Sequence, residues 1–252
     1  MDNKISVVIN TYNAQKYLAR VLETVQTFDE VVVCDMESTD DTVAIAQRYG
    51  CRIVTFPKAD HKSAEPARTF AIQSATSDWV LVVDADELVP QALRDYLYDF
   101  VTHPGEVRGL YLPRKDYTMN VFLPSSYPDY QLRFFIREGT VWPPYVHTFP
   151  TVQGPLEHIP RQRLDLALDH LDDSTRATLT RLNNYTDNEV EKKAGKRVTL
   201  WSLMFSPGFR FFKMYILKGG FRYGVAGYVQ AYRSAYYKFT LLCKIYEKQI
   251  GL

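Results

Sequence analysis

The chain has 252 residues, 46% of them hydrophobic, which is enough for one large or two small domains with a substantial core. Its formal net charge of +1 argues against a nucleic-acid-binding protein that works through bulk positive charge. Three cysteines, an odd number without metal-site spacing, are expected to be free thiols in a reducing compartment. The start of the chain lacks a signal-peptide pattern and no apolar segment is long enough to span a bilayer, so we expect a cytoplasmic location.

Short strands rich in β-branched residues alternate with helices along the first half of the chain. The predicted elements, in order, are a strand at 5–9, a helix at 14–26, a strand at 31–34, a helix at 42–49, a strand at 52–56, a helix at 64–75 and a strand at 79–83. This alternation is typical of an α/β fold in which a mainly parallel sheet with right-handed crossovers is flanked by helices.

The strand at 79–83 ends abruptly in the acidic residues Asp84, Asp86 and Glu87. Pro90 fits the start of a following helix, so the carboxylates are expected in a strand-to-helix loop. Close carboxylates repel one another unless a cation compensates them, and hard oxygen ligands favour Mg²⁺ or Mn²⁺. An alternative explanation is that these side chains only cap the next helix and interact with its positive end.

Polar residues also follow the other predicted strands. Thr11, Asp35 and Asp84 each lie at the carboxyl end of a different strand, and in a parallel sheet those ends form one rim where ligands bind. Neither of the usual glycine-rich phosphate loops follows the first strand, so the sequence predicts neither a dinucleotide-binding protein nor a P-loop protein. A metal ion on Asp86 and the guanidinium of Arg68 would then have to compensate the negative charge of a bound phosphate.

Three segments, Val7–Asn13, Val33–Asp40 and Asp84–Glu87, resemble the leading motifs of family 2 glycosyltransferases with the GT-A fold, over about residues 4–100. The resemblance implies a role for each matching residue. Thr11, Tyr12 and Asn13 line the nucleotide pocket, Asp35 forms a hydrogen bond to the base, and Arg68 approaches the diphosphate. Asp84 touches the ribose or a metal, Ala85 contacts the nucleotide-sugar, and Asp86 coordinates Mg²⁺ or Mn²⁺. The chain departs from the family at Glu37, where many members have glycine, so the base-side loop is expected to have a different shape.

Residues 128–135 alternate polar and apolar side chains, which predicts a strand with one wet face carrying Asp129, Gln131 and Arg133. A solvated face without function is the alternative. This segment, together with Val146–His147 and Leu168–His170, resembles the lipopolysaccharide core β-glucosyltransferase-like branch of family 2. Gln131, Arg133, His147 and His170 are accordingly candidate contacts to the acceptor or the diphosphate.

The catalytic base is the weak point of this resemblance. In that branch the Val-His pair is usually followed by glutamate, whereas this chain has Thr148, whose hydroxyl has no useful acidity. The candidates are Asp129, Glu157 and His147. We favour Asp129 because it opens the predicted strand on the acceptor side of the rim, where Arg133 would keep it ionised.

The end of the chain is basic and aromatic. From Lys196 to Lys248, ten lysines and arginines are opposed only by Glu247, and aromatic residues lie between them. Such segments suit the interface of an anionic membrane, although helices packed on the domain, or a dimer interface, would explain the composition as well.

Together these features predict a GT-A domain at 1–194, with a nucleotide-binding half at 1–100 and an acceptor half at 101–194, and a helical tail at 195–252. The predicted function is an inverting, metal-dependent transfer from a UDP-sugar to a hydroxyl of a glycolipid or lipopolysaccharide-type acceptor, at the inner face of the cytoplasmic membrane. The alternative is a non-catalytic nucleotide-sugar-binding protein of the membrane surface. A phosphoacceptor receiver domain is disfavoured because the first strand ends in Asn10-Thr11 rather than an acidic pair.

Overall fold

The structure is a computed structural model that describes residues 3–61, 63–145, 148–172, 174–193, 195 and 197–251. The strands are β1 Ile5–Thr11, β2 Glu30–Asp35, β3 Arg52–Thr55, β4 Trp79–Asp84, β5 Glu87–Leu88, β6 Gly109–Leu112, β7 Arg114–Thr118, β8 Val121–Phe122, β9 Gln131–Ile136, β10 Leu156–His158 and β11 Leu168–His170. The α-helices are α1 Leu18–Val25, α2 Thr42–Arg48, α3 Glu65–Gln73, α4 Gln91–Thr102, α5 Thr175–Lys192, α6 Leu200–Phe212 and α7 Gly224–Gln249. A π-helical segment, Lys213–Leu217, follows α6, and short 3₁₀ turns lie at Leu164–Leu166 and Gly220–Tyr223.

The chain forms two compact units. The first contains Met1–Lys115 and Pro128–Leu171, and the second contains Asp116–Tyr127 and Asp172–Leu252. The strand β7 runs from the first unit into the second, where its end pairs with β8. The predicted domain boundary after residue 194 lies inside the second unit. The predicted division into domains stays a prediction.

A seven-stranded sheet with the order β10-β6-β9-β4-β1-β2-β3 forms the centre of the first unit. β1 pairs in parallel with both β2 and β4, and β2 pairs in parallel with β3. The strand β9 is inserted antiparallel between β4 and β6. The predicted fold class is therefore confirmed: a mixed α/β fold with a mostly parallel sheet, flanked by helices and followed by a C-terminal helical segment.

The central strands are buried on both faces because helices and loops cover the sheet on each side. Ile5, Val7 and Ile9 of β1 belong to one hydrophobic cluster, whereas Val8 belongs to the cluster on the opposite face. Since successive side chains of a strand point to opposite faces, a strand covered on both sides must be apolar throughout. This requirement explains the uninterrupted apolar runs in the sequence.

The prediction of a wet face on the strand at 128–135 was wrong. β9 begins only at Gln131, and Leu132 to Ile136 are all buried. The physical reason is its position between β4 and β6, which gives the strand a neighbour on each edge. Its apolar side chains also enter the hydrophobic clusters on both faces of the sheet. The polar member of this run, Arg133, is only 3% exposed and therefore requires partners of opposite charge inside the unit.

The second unit is helical and has a small core. Val190, Val198, Leu241, Leu242 and Ile245 form its buried cluster. α7 packs tightly on the turn that precedes it: a Cβ added at Gly227 would lie 1.9 Å from the carbonyl oxygen of Gly220. By contrast, α6 buries none of its residues. Among the described residues, the structure contains no helix with the length and apolar character needed to cross a bilayer.

Candidate active site

The carboxyl ends of the central strands meet at one rim of the sheet. In the strand register Thr11 lies opposite Asp35, and Asn10 lies opposite Asp84. The structure therefore places side by side the three strand ends that the sequence associates with a site. The side-chain contacts at this rim determine what each of these residues is able to do.

Asp35 organises the first two strand ends. Its side chain accepts hydrogen bonds from the Thr11 hydroxyl at 2.9 Å, and from the backbone N–H and the hydroxyl of Ser38 at 2.8 and 2.6 Å. The residue is only 3% exposed. Asp35 thus holds the loop after β2 against the end of β1, and its contact with a nucleotide base stays a prediction.

The loop after β2 also contains the departure from the family pattern. Glu37 has a φ of 60°, the left-handed conformation that glycine adopts most readily. Its carboxylate accepts the backbone N–H of Lys58 at 3.0 Å. The chain therefore has the glycine-like backbone conformation at this position without the glycine. Asn13 also has positive φ, and its side-chain oxygen accepts the N–H of Thr39 at 2.8 Å.

Tyr12 lies beside this loop and is 48% exposed. The Lys58 ammonium is 4.9 Å from the centre of its ring. An exposed aromatic ring at the strand rim offers a flat surface on which a base is able to stack, which fits the predicted role of Tyr12 in the nucleotide pocket.

Three carboxylates and three guanidiniums form a continuous series of ion pairs next to this rim. We call it the charge chain, and its members in order are Arg68, Asp84, Arg133, Glu87, Arg114 and Asp129. Asp84, at the end of β4, joins the first two arginines of the charge chain. Asp84 accepts from Arg68 at 2.8 Å through one oxygen and from Arg133 through the other.

These partners determine the protonation of Asp84. Burial raises the pKa of its carboxyl, but the charges of Arg133 and Arg68 outweigh that effect and hold the pKa well below its ordinary value. For Arg133, burial lowers the pKa, while Asp84 and Glu87 raise it by a larger amount. The pair is therefore charged on both sides at neutral pH.

Glu87 continues the charge chain from within the core. It is fully buried, and one of its oxygens accepts from Arg114 at 2.9 Å and lies 3.5 Å from Arg133. Its other oxygen accepts the backbone N–H of Asp84 at 3.0 Å. Glu87 therefore fixes both the backbone of the acidic loop and the two arginines beside it.

Several buried donors at this site have no hydrogen-bond partner in the described part of the chain. They are Nε and Nη1 of Arg68, Nε and Nη1 of Arg133, and Nε1 of Trp142. The ring of Trp142 lies 4.5 Å from the Arg68 guanidinium carbon and 5.6 Å from that of Arg133. Guanidinium donors grouped in this way match the oxygens of a phosphate group.

Asp86 points to a different partner. The short strands β5 and β11 pair antiparallel with His170 opposite Glu87, and the N–H of Leu171 donates to the carbonyl of Asp86 at 2.8 Å. This pairing brings Nε2 of His170 to 3.4 Å from the Asp86 carboxylate. A carboxylate beside an imidazole is a donor set that a divalent cation accepts. Within the described residues no group of three or more such side chains is arranged around a metal position.

The candidate base Asp129 has a different partner from the one expected. Its carboxylate accepts from Nε and Nη2 of Arg114 at 3.1 and 2.5 Å. The prediction that Arg133 compensates Asp129 was wrong, because Arg133 is buried against Asp84 and Glu87. The Asp129 side chain is 36% exposed, so it remains accessible from solvent.

The remaining candidates lie in varied surroundings. Gln131 and Ala85 are half-buried at the start of β9 and in the loop after β4, and Glu157 is exposed on the edge strand β10. The hydroxyl of Thr148 donates to the carbonyl of Tyr145 at 2.6 Å. His147 lies outside the described residues.

Three members of the site were not identified from the sequence as site residues: Glu87, Arg114 and Trp142. Glu87 gave a signal, since it directly follows the acidic pair in an otherwise apolar context. Arg114 and Trp142 gave none, because they are distant in sequence from the segments that they contact.

The thiols do not take part in this site. Cys34, Cys51 and Cys243 are free, and Cys34 is fully buried in β2. Burial, aided by the neighbouring charge of Asp35, raises the pKa of Cys34 to about 12, and burial raises that of Cys51 to about 11. Both are therefore neutral near pH 7 and unsuited to nucleophilic attack.

Replacing Glu87 by glutamine should strongly destabilise the first unit. Two guanidiniums and one backbone N–H converge on the Glu87 carboxylate, and an amide removes the charge and adds a donor where donors already meet. We expect Glu87→Gln to lower the free energy of unfolding by about 3–5 kcal/mol, measured by urea titration. The exposed Glu106→Gln is the control and should change it by less than about 0.5 kcal/mol. Equal stability of the two variants would contradict the role assigned to Glu87.

Comparison of the sequence with known proteins identifies the family. A family model described as glycosyl transferase family 2 matches residues 6–151, more than half of the chain. The lipopolysaccharide core biosynthesis glycosyltransferase LpsC of Rhizobium meliloti is 26% identical over 97% of this chain and 92% of that protein. An uncharacterized glycosyltransferase of Rickettsia conorii is 28% identical over 99% of this chain and 92% of its own length.

Solved structures match a smaller part of the chain than these relatives do. S. aureus TarS in complex with UDP-GlcNAc is 29% identical, with a TM-score of 0.38, over 45% of this chain and 35% of that chain. Glucosyl-3-phosphoglycerate synthase of Mycobacterium tuberculosis, in complex with Mn²⁺, UDP and phosphoglyceric acid, is 22% identical, with a TM-score of 0.37, over 45% of this chain and 43% of that one. The chain thus spans less than half the length of either. On the extent of the family match, this protein belongs to glycosyl transferase family 2.

Proposed function

We propose that this family 2 glycosyltransferase moves a sugar from a UDP-sugar to a hydroxyl of a glycolipid or lipopolysaccharide-type acceptor, with inversion at the anomeric carbon. The observation that carries the proposal is the group of partnerless guanidinium donors on Arg68 and Arg133 at the strand rim, which suits a diphosphate. Similarity to LpsC over nearly the whole chain supports an acceptor of the lipopolysaccharide class.

Binding of the donor would use two parts of the rim. Thr11, Tyr12, Asn13 and Asp35 would contact the nucleoside, with the exposed ring of Tyr12 as the stacking surface. The guanidiniums of the charge chain would contact the diphosphate, because their charge is fixed and their planar donors match phosphate oxygens. The positions of these arginines are already set by Asp84 and Glu87. Because their partnerless donors are buried beside the ring of Trp142, side chains around them would have to move for the diphosphate to reach them.

A divalent cation, Mg²⁺ or Mn²⁺, fits beside Asp86 and His170, whose side chains lie 3.4 Å apart. When bound, it would neutralise charge on the leaving diphosphate. Two protein ligands are few, but such ions commonly complete their coordination with substrate phosphates and water. Asp84 was also predicted as a ligand, and its oxygens are held by two guanidiniums. We therefore assign the principal role in holding the ion to Asp86.

The transfer itself is a single displacement. The acceptor oxygen attacks the anomeric carbon from the face opposite the diphosphate, the bond to the diphosphate oxygen breaks, and the acceptor proton passes to a carboxylate. We assign this carboxylate to Asp129, which is accessible and is held by Arg114. The alternative, a protein that binds nucleotide-sugar without turnover, is favoured only by Thr148, whose hydroxyl donates to a backbone carbonyl and offers no base.

The second unit supplies the membrane contact in this proposal. α6 buries no residue, and its large apolar side chains include Trp201, Phe205 and Phe209, which are 70%, 58% and 64% exposed. Arginines and lysines lie on and after the same helix. An exposed apolar helix among basic residues suits an interfacial position on an anionic membrane. We accordingly propose a peripheral location at the inner face of the cytoplasmic membrane.

Metal dependence is the first test. Asp86→Asn should lose most of the metal-dependent binding of UDP measured by calorimetry, because the amide carries no charge to hold the cation. Excess chelator should likewise abolish nucleotide release during a screen of donor sugars with and without acceptor lipid. The exposed Asp99→Asn is the matched control and should behave like the unchanged protein. Full turnover in excess chelator would exclude the role of the metal.

The base is tested by Asp129→Asn. The amide cannot take a proton, so turnover should fall by about 10²–10⁴-fold, while the affinity for UDP, measured by calorimetry, should be unchanged. Glu157→Gln and His147→Ala serve as comparisons. Normal turnover by Asp129→Asn together with loss in either comparison variant would move the assignment to that residue. Absence of nucleotide release with every donor and acceptor would favour the non-catalytic alternative.

Membrane contact is tested through the tryptophans. Trp79 and Trp142 are buried, at 0% and 6% exposure, whereas Trp201 is 70% exposed. Brominated lipids in phosphatidylglycerol vesicles should therefore quench Trp201 alone, and the quenching should decline as salt screens the attraction. The variant Trp201→Phe should lose the quenching. Equal binding to phosphatidylcholine and phosphatidylglycerol vesicles would leave the basic residues with a packing role only.

A further inference from the structure

A cavity of about 660 Å³ opens on the second unit beside α6 and has no part in the site at the strand rim. Its walls come from α5, α6, the π-helical segment after α6 and α7. We call it the α6 groove and define it by Lys193, Phe205, Phe209, Arg210, Lys213 and Lys238. Every residue that lines it belongs to the second unit.

The polar part of the α6 groove is positively charged. The one carboxylate among its described lining residues, Glu189, accepts hydrogen bonds from the Lys193 ammonium and the Tyr237 hydroxyl. Among the described residues that line the groove, four are cations and one is a carboxylate, which leaves a net excess of three positive charges. The Nε of Arg210 donates to the Ser234 hydroxyl on α7 at 2.8 Å, which holds this guanidinium at the groove.

The other part of the groove is apolar and faces solvent. Phe205 and Phe209 line it and are 58% and 64% exposed. They lie four residues apart on α6, so both point from the same side of the helix. Large aromatic side chains held in water next to a group of cations match a ligand that has an anionic head and an apolar tail.

We propose that the α6 groove binds one anionic bilayer lipid, with the lipid phosphate on Arg210, Lys213 and Lys238 and an acyl chain against Phe205 and Phe209. The inference rests on the proposed membrane contact and adds a discrete lipid site to it. Charge complementarity selects this occupant. Free phosphate would leave the aromatic wall exposed, and a second copy of the chain would bring like charges together.

The site is tested with a short-chain phosphatidic acid kept below its aggregation concentration, so that a single lipid binds in the absence of a membrane surface. Binding to the full chain is measured by calorimetry. The double variant Arg210→Gln/Lys213→Gln should bind roughly tenfold more weakly or worse, since each phosphate-facing cation contributes to the affinity. The matched control Lys218→Gln/Arg222→Gln removes the same charge from the same unit outside the groove and should stay within about twofold of the unchanged protein.

A second pair of variants keeps the charge constant. Phe209→Ser, which removes an exposed ring and leaves the core intact, should weaken lipid binding, whereas Phe239→Ser on α7 should not. Equal losses in the two charge variants, or displacement of the lipid by inorganic phosphate at the same concentration, would overturn the proposal. If the groove variants lose binding of the short-chain lipid but still bind vesicles, the result would support the discrete site. If neither the unchanged protein nor any variant binds vesicles, the result would count against the membrane contact itself.

Discussion

The ion pairing of Asp84 is the interaction on which the candidate site depends. Arg133 lies on a strand inside the sheet and Arg68 lies on α3. Without the carboxylate at the end of β4, Arg68 would lose the acidic partner that its guanidinium contacts, and Arg133 would keep only Glu87, 3.5 Å away. The same contacts hold the pKa of Asp84 below its ordinary value. The stability that they contribute is therefore fully present above the ordinary carboxyl pKa of about 3.9 and is lost only as the pH falls below it towards the lower folded pKa.

This arrangement also explains how one rim combines rigid and open parts. Asp84 and Glu87 hold the guanidiniums of the charge chain in place through ion pairs. Several N–H groups of Arg68 and Arg133 nevertheless have no partner among the described residues. Asp86 and His170, by contrast, are partly exposed, at 29% and 21% of their side chains, and are brought together by the pairing of β5 with β11.

The two units differ in how they use aromatic side chains. In the first, Trp79 stacks on Phe134 with ring centres 5.0 Å apart inside a sheet covered on both faces. In the second, Phe211, Tyr215, Tyr228 and Tyr232 form ring contacts between α6, the segment after it and α7. The rings of Trp201, Phe205 and Phe209 on α6 are more than half exposed. Apolar surface left in water on one helix needs a partner, which is the physical basis for assigning it a lipid contact.

The sequence by itself determined the alternation of strands and helices, the mostly parallel sheet and the polar strand ends, because these follow from local periodicity and from the direction of parallel strands. Only the tertiary structure decided which charges pair. Arg114 rather than Arg133 holds Asp129, Glu87 is buried between two arginines, and the glycine-like loop conformation is taken by Glu37. Ion pairs join residues far apart in the chain, and their identity depends on strand order. That order includes the insertion of β9 between β4 and β6, which the local sequence pattern does not predict.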